Sequence, residues 1–565
     1  MNSVNTLIYK KEDVLNGNLF SLLFLFFLLI STNSLKAQLN QQDDQPSQIV
    51  RFNGSLNLSS EFYNANGITN RLPANTERMI FRSNVSLFDQ IQLPFEVYWT
   101  SQQAQFQQPF SQFGINPLIT SWLQLHAGYF STQISDFTFG DVRVLGAGVD
   151  FHPGNFRLKI LYGRSHDAVD PDTLQNYYGS YKQMVFSAQL GYGDESISFV
   201  NINLFHAKDD TNSINRNSLT PAANENLVTS LGFGVKVIDE LSFNGEGALS
   251  LFSNDITAHT LSTTKVKLPQ FLFTLRNSSQ VDGAARLSMS LTPSKYWGLR
   301  LGARWIGPGF VTLGYSQLQN DLLEYSVIPY LRILNGKLNI RCSIGIKDNN
   351  LRNNRAYTTG RFSGSFSADY QVTAQYGFNI QYNNNQVKSA RSNDTLKISN
   401  VFNSVTLAPR YSFGEFGGSN NLVLNYSYQN SIDKIPFLLS STQNKTNMVN
   451  LMHTLSLPST LNFVTSLLVN SVVNPVANIK MYNITETAGH MFLDNLLTTA
   501  VSLGYGITKA TSQSNLILVK LIAVYSLGKW GSLNLNLSNN HINSGDNISP
   551  TYSELQGILQ YDINF

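Results

Sequence analysis

The chain has 565 residues, of which 13% are charged, and its formal net charge is +3. Ordinary soluble proteins carry about 25% charged residues, so a set of soluble globular domains is disfavoured, and a charge this close to balance gives no sign of nucleic-acid binding. The single cysteine, Cys342, excludes an internal disulfide framework and a cysteine-based metal site.

The N-terminal residues predict export from the cytoplasm. Lys10 and Lys11 precede an apolar stretch at residues 22–30, and the small residue Ala37 stands where signal peptidase would cut. We therefore predict a signal peptide at 1–37, cleaved near Ala37, and a short polar periplasmic leader at 38–48 that leaves no room for a plug domain. Beyond the N-terminus no apolar run approaches the ~18 residues that a spanning helix requires.

From residue 49 onward, polar and apolar residues alternate in long segments. In 338–346 the even-numbered residues are apolar and the odd-numbered ones are polar or glycine. In 297–305 the odd-numbered residues are apolar, and Trp297 and Trp305 stand at the two ends, where membrane interfaces would lie. Because successive side chains of a strand point to opposite faces, this pattern indicates strands with one face in lipid and the other in water. We predict an all-β fold over 49–565, a transmembrane antiparallel β-barrel of the outer-membrane type.

The strand count follows from the candidate segments and from the rule that such barrels have an even number of strands. Twenty candidate strands follow residue 155, and five precede it, so one strand is missing or spurious around the glutamine-rich segment 101–112. We predict about 24 to 26 strands. The five earlier candidates lie near 49–63, 77–88, 91–100, 121–130 and 145–152.

The connections between these strands are predicted to alternate strictly between short and long, as in outer-membrane barrels. Long polar stretches occur at 165–178, 208–224, 384–399 and 431–445. Parity also requires residues 307–321 to be an outer loop, although residues 310–315 have a strand-like pattern.

The last segment of the chain has an apolar phase that includes Tyr561, Ile563 and Phe565. It resembles the assembly signal of outer-membrane barrels, in which a terminal aromatic residue follows alternating apolar residues. This resemblance implies recognition by the barrel assembly machinery. Ile563 departs from it, since an aromatic residue is commoner there.

Two patches of sequence resemble a known group of proteins. Residues 126–164 (HAGYFSTQISDFTFGDVRVLGAGVDFHPGNFRLKILYGR) and 344–352 (IGIKDNNLR) are similar to segments of large, uncharacterised, porin-like outer-membrane β-barrels of Bacteroidetes. The resemblance implies the class of fold and carries no catalytic or ligand residues.

The polar phase of the strands would form the wall of a lumen. A mixture of charges there would suit small hydrophilic or anionic solutes, because rings of cationic side chains favour anions. The alternative is that these charges only solvate the wall or pair with one another across strands. The predicted lumen-facing charges are Arg157, Lys159, Arg300, Arg304, Arg341, Arg361, Glu61, Glu246 and Asp369.

Catalytic and metal-binding patterns are weak. One histidine and three aspartates at 166–172 could bind Ca²⁺ through oxygen atoms, but their spacing matches no known calcium loop. Two histidine–serine pairs, His126 with Ser121 and His453 with Ser456, have no acid placed to complete a triad. We predict no metal, no cofactor and no enzymatic activity.

The functional hypothesis is a passive porin-like channel for small hydrophilic solutes in the cell outer membrane. The alternative is a barrel scaffold or export channel that holds a secreted or surface-lipoprotein partner, because an empty barrel of about 24 strands would leak. The predicted partners are outer-membrane lipid and the assembly machinery, together with a protein in or beside the lumen under the alternative hypothesis, and no nucleic acid.

Overall fold

A computed structural model describes residues 50–88, 91–101, 112–173, 177–261, 269, 272–355, 357–390, 399–434, 442–545 and 550–565. The predicted signal peptide and leader lie outside the described residues, so both stay predictions. Residues 52–86 and 90–565 belong to one compact unit, which is the barrel. Of a second unit, the structure describes residues 50 and 51, which begin β1, residue 87, which ends β2, and residue 88, which follows β2.

The described chain is built of strands joined by turns and loops. It contains no helix long and apolar enough to cross a membrane. Two short 3-10 turns occur among the described residues, at Leu334–Gly336 and Gly528–Trp530. The strand segments are β1 (Val50–Asn66), β2 (Asn75–Leu87), β3 (Ile91–Thr100), β4 (Gln112–Ile115), β5 (Leu118–Thr120), β6 (Leu123–Phe130), β7 (Val144–Phe151), β8 (Phe156–His166), β9 (Lys182–Asp194), β10 (Ser198–Asp210), β11 (Glu225–Ile238), β12 (Leu241–Ser253), β13 (Ser279–Ser294), β14 (Trp297–Ile306), β15 (Leu322–Ile333), β16 (Leu338–Asp348), β17 (Thr358–Gln371), β18 (Tyr376–Ala390), β19 (Ser399–Glu415), β20 (Gly418–Lys434), β21 (Thr442–Ser456), β22 (Asn462–Val473), β23 (Asn478–Phe492), β24 (Leu497–Lys509), β25 (Gln513–Ser526), β26 (Ser532–Ser544) and β27 (Tyr552–Asn564).

These segments occupy 26 positions in one antiparallel sheet, because β4 and β5 share a position. Both segments pair with β3 on one side and with β6 on the other. Pro117 separates them, and a proline has no N–H to donate to a strand ladder. This interrupted strand is the one that the sequence count lacked, and the predicted range of 24 to 26 strands is confirmed.

The sheet closes because β1 pairs with β27, from Ser55 opposite Asn564 to Asn66 opposite Ser553. At the end of this seam the backbone N–H of Gly54 donates to the Phe565 carbonyl at 2.8 Å, and the Phe565 N–H donates to the Gly54 carbonyl at 3.0 Å. A closed sheet leaves no edge strand with unpaired backbone groups, which a strand surrounded by lipid could not tolerate.

The two faces of the wall follow the alternation in the sequence. On β12, Glu246 and Ser250 are buried on the inner face, and Leu249 between them is 59% exposed on the outer face. On β14, Trp297 and Trp305 lie at the two ends of the outer face and are both exposed. Apolar side chains therefore cover the outside of the barrel, as the outer-membrane type requires.

The connections at the two ends of the barrel differ in length. The end that carries Phe565 has short turns such as 239–240 and 295–296, and the opposite end has long connections such as 211–224 and 254–278. The predicted strict alternation is wrong at 474–477 and 510–512, which are short connections at the long-connection end.

All four predicted long loops overlap strands at a boundary, and the overlap is largest for 384–399 and 431–445. Residues 384–390 belong to β18, and residues 431–434 and 442–445 belong to β20 and β21. Polar sequence there forms strand because these strand ends lie beyond the apolar band of the outer face, where both faces meet water.

Candidate functional site: the barrel lumen

Two connections from the long-connection end fold into the barrel. Residues 131–143 join β6 to β7, and residues 307–321 join β14 to β15. We call them the inward segments. They meet in a short parallel bridge between Phe139 and Gly314, where the Gly140 N–H donates to the Gly314 carbonyl at 3.1 Å.

Apolar side chains hold the inward segments against the inner wall. Phe137 and Phe139 are fully buried, and Phe310 is 1% exposed. The Phe139 ring lies 5.7 Å from that of Phe205 on β10, and the Phe137 ring lies 5.9 Å from that of Phe310. Burying a phenylalanine side chain contributes roughly 1.5–3 kcal/mol. The cluster also includes wall residues of β8 to β15 on the inner face, among them Leu161, Val185, Ala207, Val228, Ala248, Ala284 and Ile306.

Hydrogen bonds satisfy the backbone of the inward segments. The Thr312 hydroxyl donates to the Thr138 carbonyl at 2.7 Å and so joins one segment to the other. Asn226, on the inner face of β11, donates to the Val311 carbonyl at 3.0 Å and accepts from the Leu313 N–H at 2.9 Å. Buried backbone groups need hydrogen-bond partners. These contacts therefore fix the inward segments to the inner wall.

A row of charged side chains crosses the wall beneath residues 131–143. Glu246 lies opposite Arg286 on β13, and Arg286 lies opposite Arg304 on β14. Glu246 is 5% exposed and accepts a hydrogen bond from the Asp136 N–H at 3.2 Å. Arg286 forms an ion pair with Asp136 and lies 3.8 Å from Glu246, while the Arg304 guanidinium lies 5.4 Å from the centre of the Phe137 ring. Two carboxylates thus face two guanidinium groups, which offsets part of the cost of their burial.

A second set of ion pairs ties residues 307–321 to the connection at 349–357. Asp282 accepts from the Gly309 N–H at 2.7 Å and from Arg352 at 2.6 Å. Asp321 pairs with Arg355 at 3.1 Å. The inward segment is therefore anchored at both of its ends.

The phenol of Tyr315 is enclosed between the two inward segments. Its hydroxyl donates to the Ser135 carbonyl. Burial raises the pKa of this phenol above its ordinary value, and so it stays protonated and keeps donating.

The predicted lumen-facing charges occupy inner-face positions, and several have partners across strands. Lys159 pairs with Asp150 at 3.1 Å, and Asp369 pairs with Arg410 at 3.4 Å.

Two further predicted charges also have partners. Arg157 pairs with Glu195. Glu61 lies 3.5 Å from Arg78 and accepts a hydrogen bond from Gln556 at 2.7 Å. Arg300, Arg304, Arg341 and Arg361 have no carboxylate within 4 Å in the described part of the chain.

Sequence reasoning missed several members of this site. Alternation does not place Asp136 or the other residues of 131–143 inside the barrel, although Ile134, Phe137 and Phe139 are apolar side chains in a connection between strands. Arg286 could have been found, since it alternates with Ala285 and Leu287 on β13. Neither residue follows a motif that points to a ligand.

The histidine–serine pairs lack catalytic geometry. The His126 ring nitrogen lies 2.7 Å from the Asn116 side-chain oxygen, and its ring stacks on Phe130. The His453 ring lies 3.0 Å from the side-chain oxygen of Asn420. No group of three potential metal ligands occurs among the described residues.

The three predicted assembly residues lie on the outer face of the closing seam. The Phe565 ring stacks on Phe52 at 5.0 Å, and Ile563 lies opposite Leu56. The Tyr561 hydroxyl donates to the Trp530 carbonyl at 2.7 Å. Their recognition by an assembly machinery stays a prediction.

Comparison with known proteins gives likeness only at the level of solved structures. No family model and no curated protein matches the chain. The translocation pore of the P pilus usher PapC has 11% identity and a TM-score of 0.42, covering 91% of this chain and 99% of that one. The ferripyoverdine receptor of Pseudomonas aeruginosa has 9% identity and a TM-score of 0.39, covering 92% and 72%. The outer membrane protein opdK of Pseudomonas aeruginosa has 10% identity and a TM-score of 0.29, covering 65% and 98%. Scores this low transfer no ligand, partner or activity to the present chain.

Proposed function

We propose that the barrel is a passive channel of the cell outer membrane for small hydrophilic solutes. The polar inner wall of β17 to β20 supports the proposal. Ser363, Ser365, Gln381 and Gln429 are exposed on this inner face, and the inward segments contact β8 to β15 instead. Porins have polar interiors that hold a water-filled channel. We therefore expect a water-filled path along β17 to β20.

The inward segments would set the width of this path. Barrels of 16 to 18 strands already leave an aqueous channel, and a wider barrel needs something inside to limit leakage. Two segments packed on one side of a wall of 26 strands would narrow the lumen and leave the opposite side open. In the orientation that we propose for the barrel in the membrane, the short connections and Phe565 face the periplasm, and the long connections face the outside of the cell.

Planar-bilayer recording of the purified barrel tests the proposal. We expect stepwise current increments whose size rises in proportion to the KCl concentration, and liposomes that swell in small sugars faster than in large ones. Protein denatured by heat before reconstitution is the control. A folded barrel that gives no current steps and no swelling would contradict the proposal.

The second candidate is a scaffold or export barrel that holds a protein partner in the lumen. The strand number supports it, because 26 strands exceed the number found in simple porins. The same recordings separate the two candidates: a barrel that is silent as isolated and conducts after its partner is removed is a scaffold, whereas steady currents from the barrel alone favour the channel.

A further inference from the structure

We propose that Arg300, Arg332 and Arg341 form a binding site for small multivalent oxyanions, such as di- or tricarboxylates and phosphate, on the inner wall near the short-connection end. The inference rests on the proposed channel function and names the class of solute that the channel would favour. We call these three residues the arginine triad.

The strand register places the arginine triad on one face. Arg300 on β14 lies opposite Ile328 on β15, and Arg341 on β16 lies opposite Tyr330, two residues further along β15. Arg332 follows on the same face of β15. The face is the inner one, because Ile306, which shares it on β14, is fully buried in the cluster with the inward segments.

The spacing suits a single small ligand. Strands lie about 4.8 Å apart and rise about 3.3 Å per residue, so the Cα atoms of Arg300 and Arg341 are roughly 12 Å apart and those of Arg332 and Arg341 roughly 8 Å. Arginine side chains are long enough to reach a shared ligand over such distances. They border a recess of about 420 Å³ that is also lined by Ser290, Tyr330 and Asn339.

Tyr330 adds a hydroxyl donor in a fixed position. Its ring lies over Gly298 on β14, so closely that a Cβ atom on Gly298 would be 2.4 Å from the ring and 2.7 Å from the hydroxyl oxygen. Only a glycine leaves room for the ring there. The hydroxyl is thereby placed beside Arg300, two residues along the same face of β14.

The charge of the arginine triad is not neutralised by neighbouring protein groups. In the described part of the chain no carboxylate lies within 4 Å of any of the three guanidinium groups. The acidic side chain nearest in register is Asp369, opposite Asn339, and its carboxylate pairs with Arg410 at 3.4 Å. By contrast, Arg286, which lies beneath the inward segment, has acidic partners in Asp136 and Glu246.

This combination favours multivalent oxyanions over chloride or neutral solutes. Guanidinium groups bind carboxylate and phosphate oxygens in pairs, with charge-assisted hydrogen bonds. All three arginines are exposed to the lumen, so a passing anion can reach them without displacing an existing ion pair. Clustered cations in a low-dielectric wall also raise the local concentration of anions.

The test uses the full barrel in planar bilayers with citrate or inorganic phosphate added to one side. Citrate should block the chloride current, and the triple variant R300Q/R332Q/R341Q should raise the half-blocking concentration at least tenfold. Phosphate should behave in the same way with weaker block, and a site that binds citrate alone would restrict the class to carboxylates.

Single substitutions separate a site from a general wall charge. R341Q should raise the half-blocking concentration about threefold. The matched control is K520Q, which removes one cation from the inner face of β25, where Lys520 lies between Ser502 and Ser538. K520Q should leave the block unchanged. Equal effects of R341Q and K520Q, or a triple variant that is blocked like the unaltered barrel, would overturn the inference.

A binding measurement keeps this inference separate from the channel proposal. Calorimetric titration of the detergent-solubilised barrel with citrate should show binding that the triple variant loses. A difference in gel mobility between unheated and heated samples confirms that the variant is folded. Citrate binding without conductance contradicts the channel alone, and conductance without citrate binding contradicts the anion site alone.

Discussion

Glu246 shows how a single inner-face residue stabilises the inward segments. Its carboxylate is almost fully buried and faces both the Asp136 N–H and Arg286. The substitution Glu246→Gln keeps a hydrogen-bond acceptor and removes one of the two carboxylate charges near Arg286, the other being that of Asp136. We expect a loss of about 2 kcal/mol, below the roughly 3–5 kcal/mol for breaking a buried ion pair outright.

Urea unfolding in lipid vesicles, followed by tryptophan fluorescence, measures this loss. Glu61→Gln is the matched control, since Glu61 is only half-buried and its ion-pair partner Arg78 is exposed. The control should change stability by less than about 1 kcal/mol. Equal losses for the two variants would show that Glu246 has no special role.

Glu486 is a carboxylate on the outer face of β23, where its neighbours Ile484 and Tyr482 are apolar and exposed. It accepts a hydrogen bond from the Thr465 hydroxyl at 2.6 Å. A charge in this face is unfavourable in lipid, so Glu486→Leu should stabilise the barrel in vesicles by about 1 kcal/mol. Glu324→Leu, which removes an inner-face partner of Lys347, should destabilise it. A destabilised Glu486→Leu barrel would contradict the lipid-facing assignment.

At the scale of elements, buried side chains hold the inward segments against the inner wall. Phe139 is fully buried between its own segment and Phe205. Phe139→Ala should cost about 3 kcal/mol, because truncating a buried phenylalanine loses its burial and leaves a cavity. It should also loosen residues 131–143 and raise the single-channel conductance.

Phe233→Ala provides the comparison for this element, since Phe233 lies on the outer face of β11 and is partly exposed. It should leave the conductance unchanged. A Phe139→Ala barrel with unchanged conductance and stability would mean that the segment does not depend on this cluster.

The sequence predicts the strands better than it predicts the connections. Alternation places Trp297 and Trp305 on one face because the period of a strand is two residues. It misses β4 and β5, because a strand of so few residues interrupted by Pro117 has too little alternation to be recognised. The sequence predicts an outer loop at 307–321, and the structure has a connection there that folds into the barrel. The burial of its apolar residues depends on contacts with residues 131–143, which are distant in sequence and leave no local period.

At the scale of the whole molecule, the first strand of the barrel also approaches its other neighbour, β2, very closely at Gly54. A Cβ atom on Gly54 would lie 2.4 Å from the Arg82 carbonyl oxygen and 2.8 Å from the Ser83 Cα. Gly54→Ala should therefore force β1 away from β2 and cost about 2 kcal/mol. Gly247→Ala makes the same change where no atom lies within 4 Å, and it should be neutral. The fraction of protein that runs as the folded band on unheated gels measures both, and similar fractions would show that the contact between β1 and β2 tolerates the change.

The closed order of strands can be tested directly by joining the first strand to the last. Gly54 and Phe565 exchange both backbone hydrogen bonds, so Ser55 and Asn564 form the adjacent non-hydrogen-bonded pair. Such pairs have Cα atoms about 4.5 Å apart, within the range of roughly 4.4–6.8 Å that a disulfide spans.

In a Cys342→Ala background, S55C/N564C should oxidise to an intramolecular disulfide. That disulfide links β1 to β27. It therefore changes the electrophoretic mobility of the denatured chain until the disulfide is reduced. S55C/Q560C, displaced by four residues or about 13 Å along β27, should stay reduced. Crosslinking of the displaced pair in place of the registered pair would contradict the register at which the barrel closes.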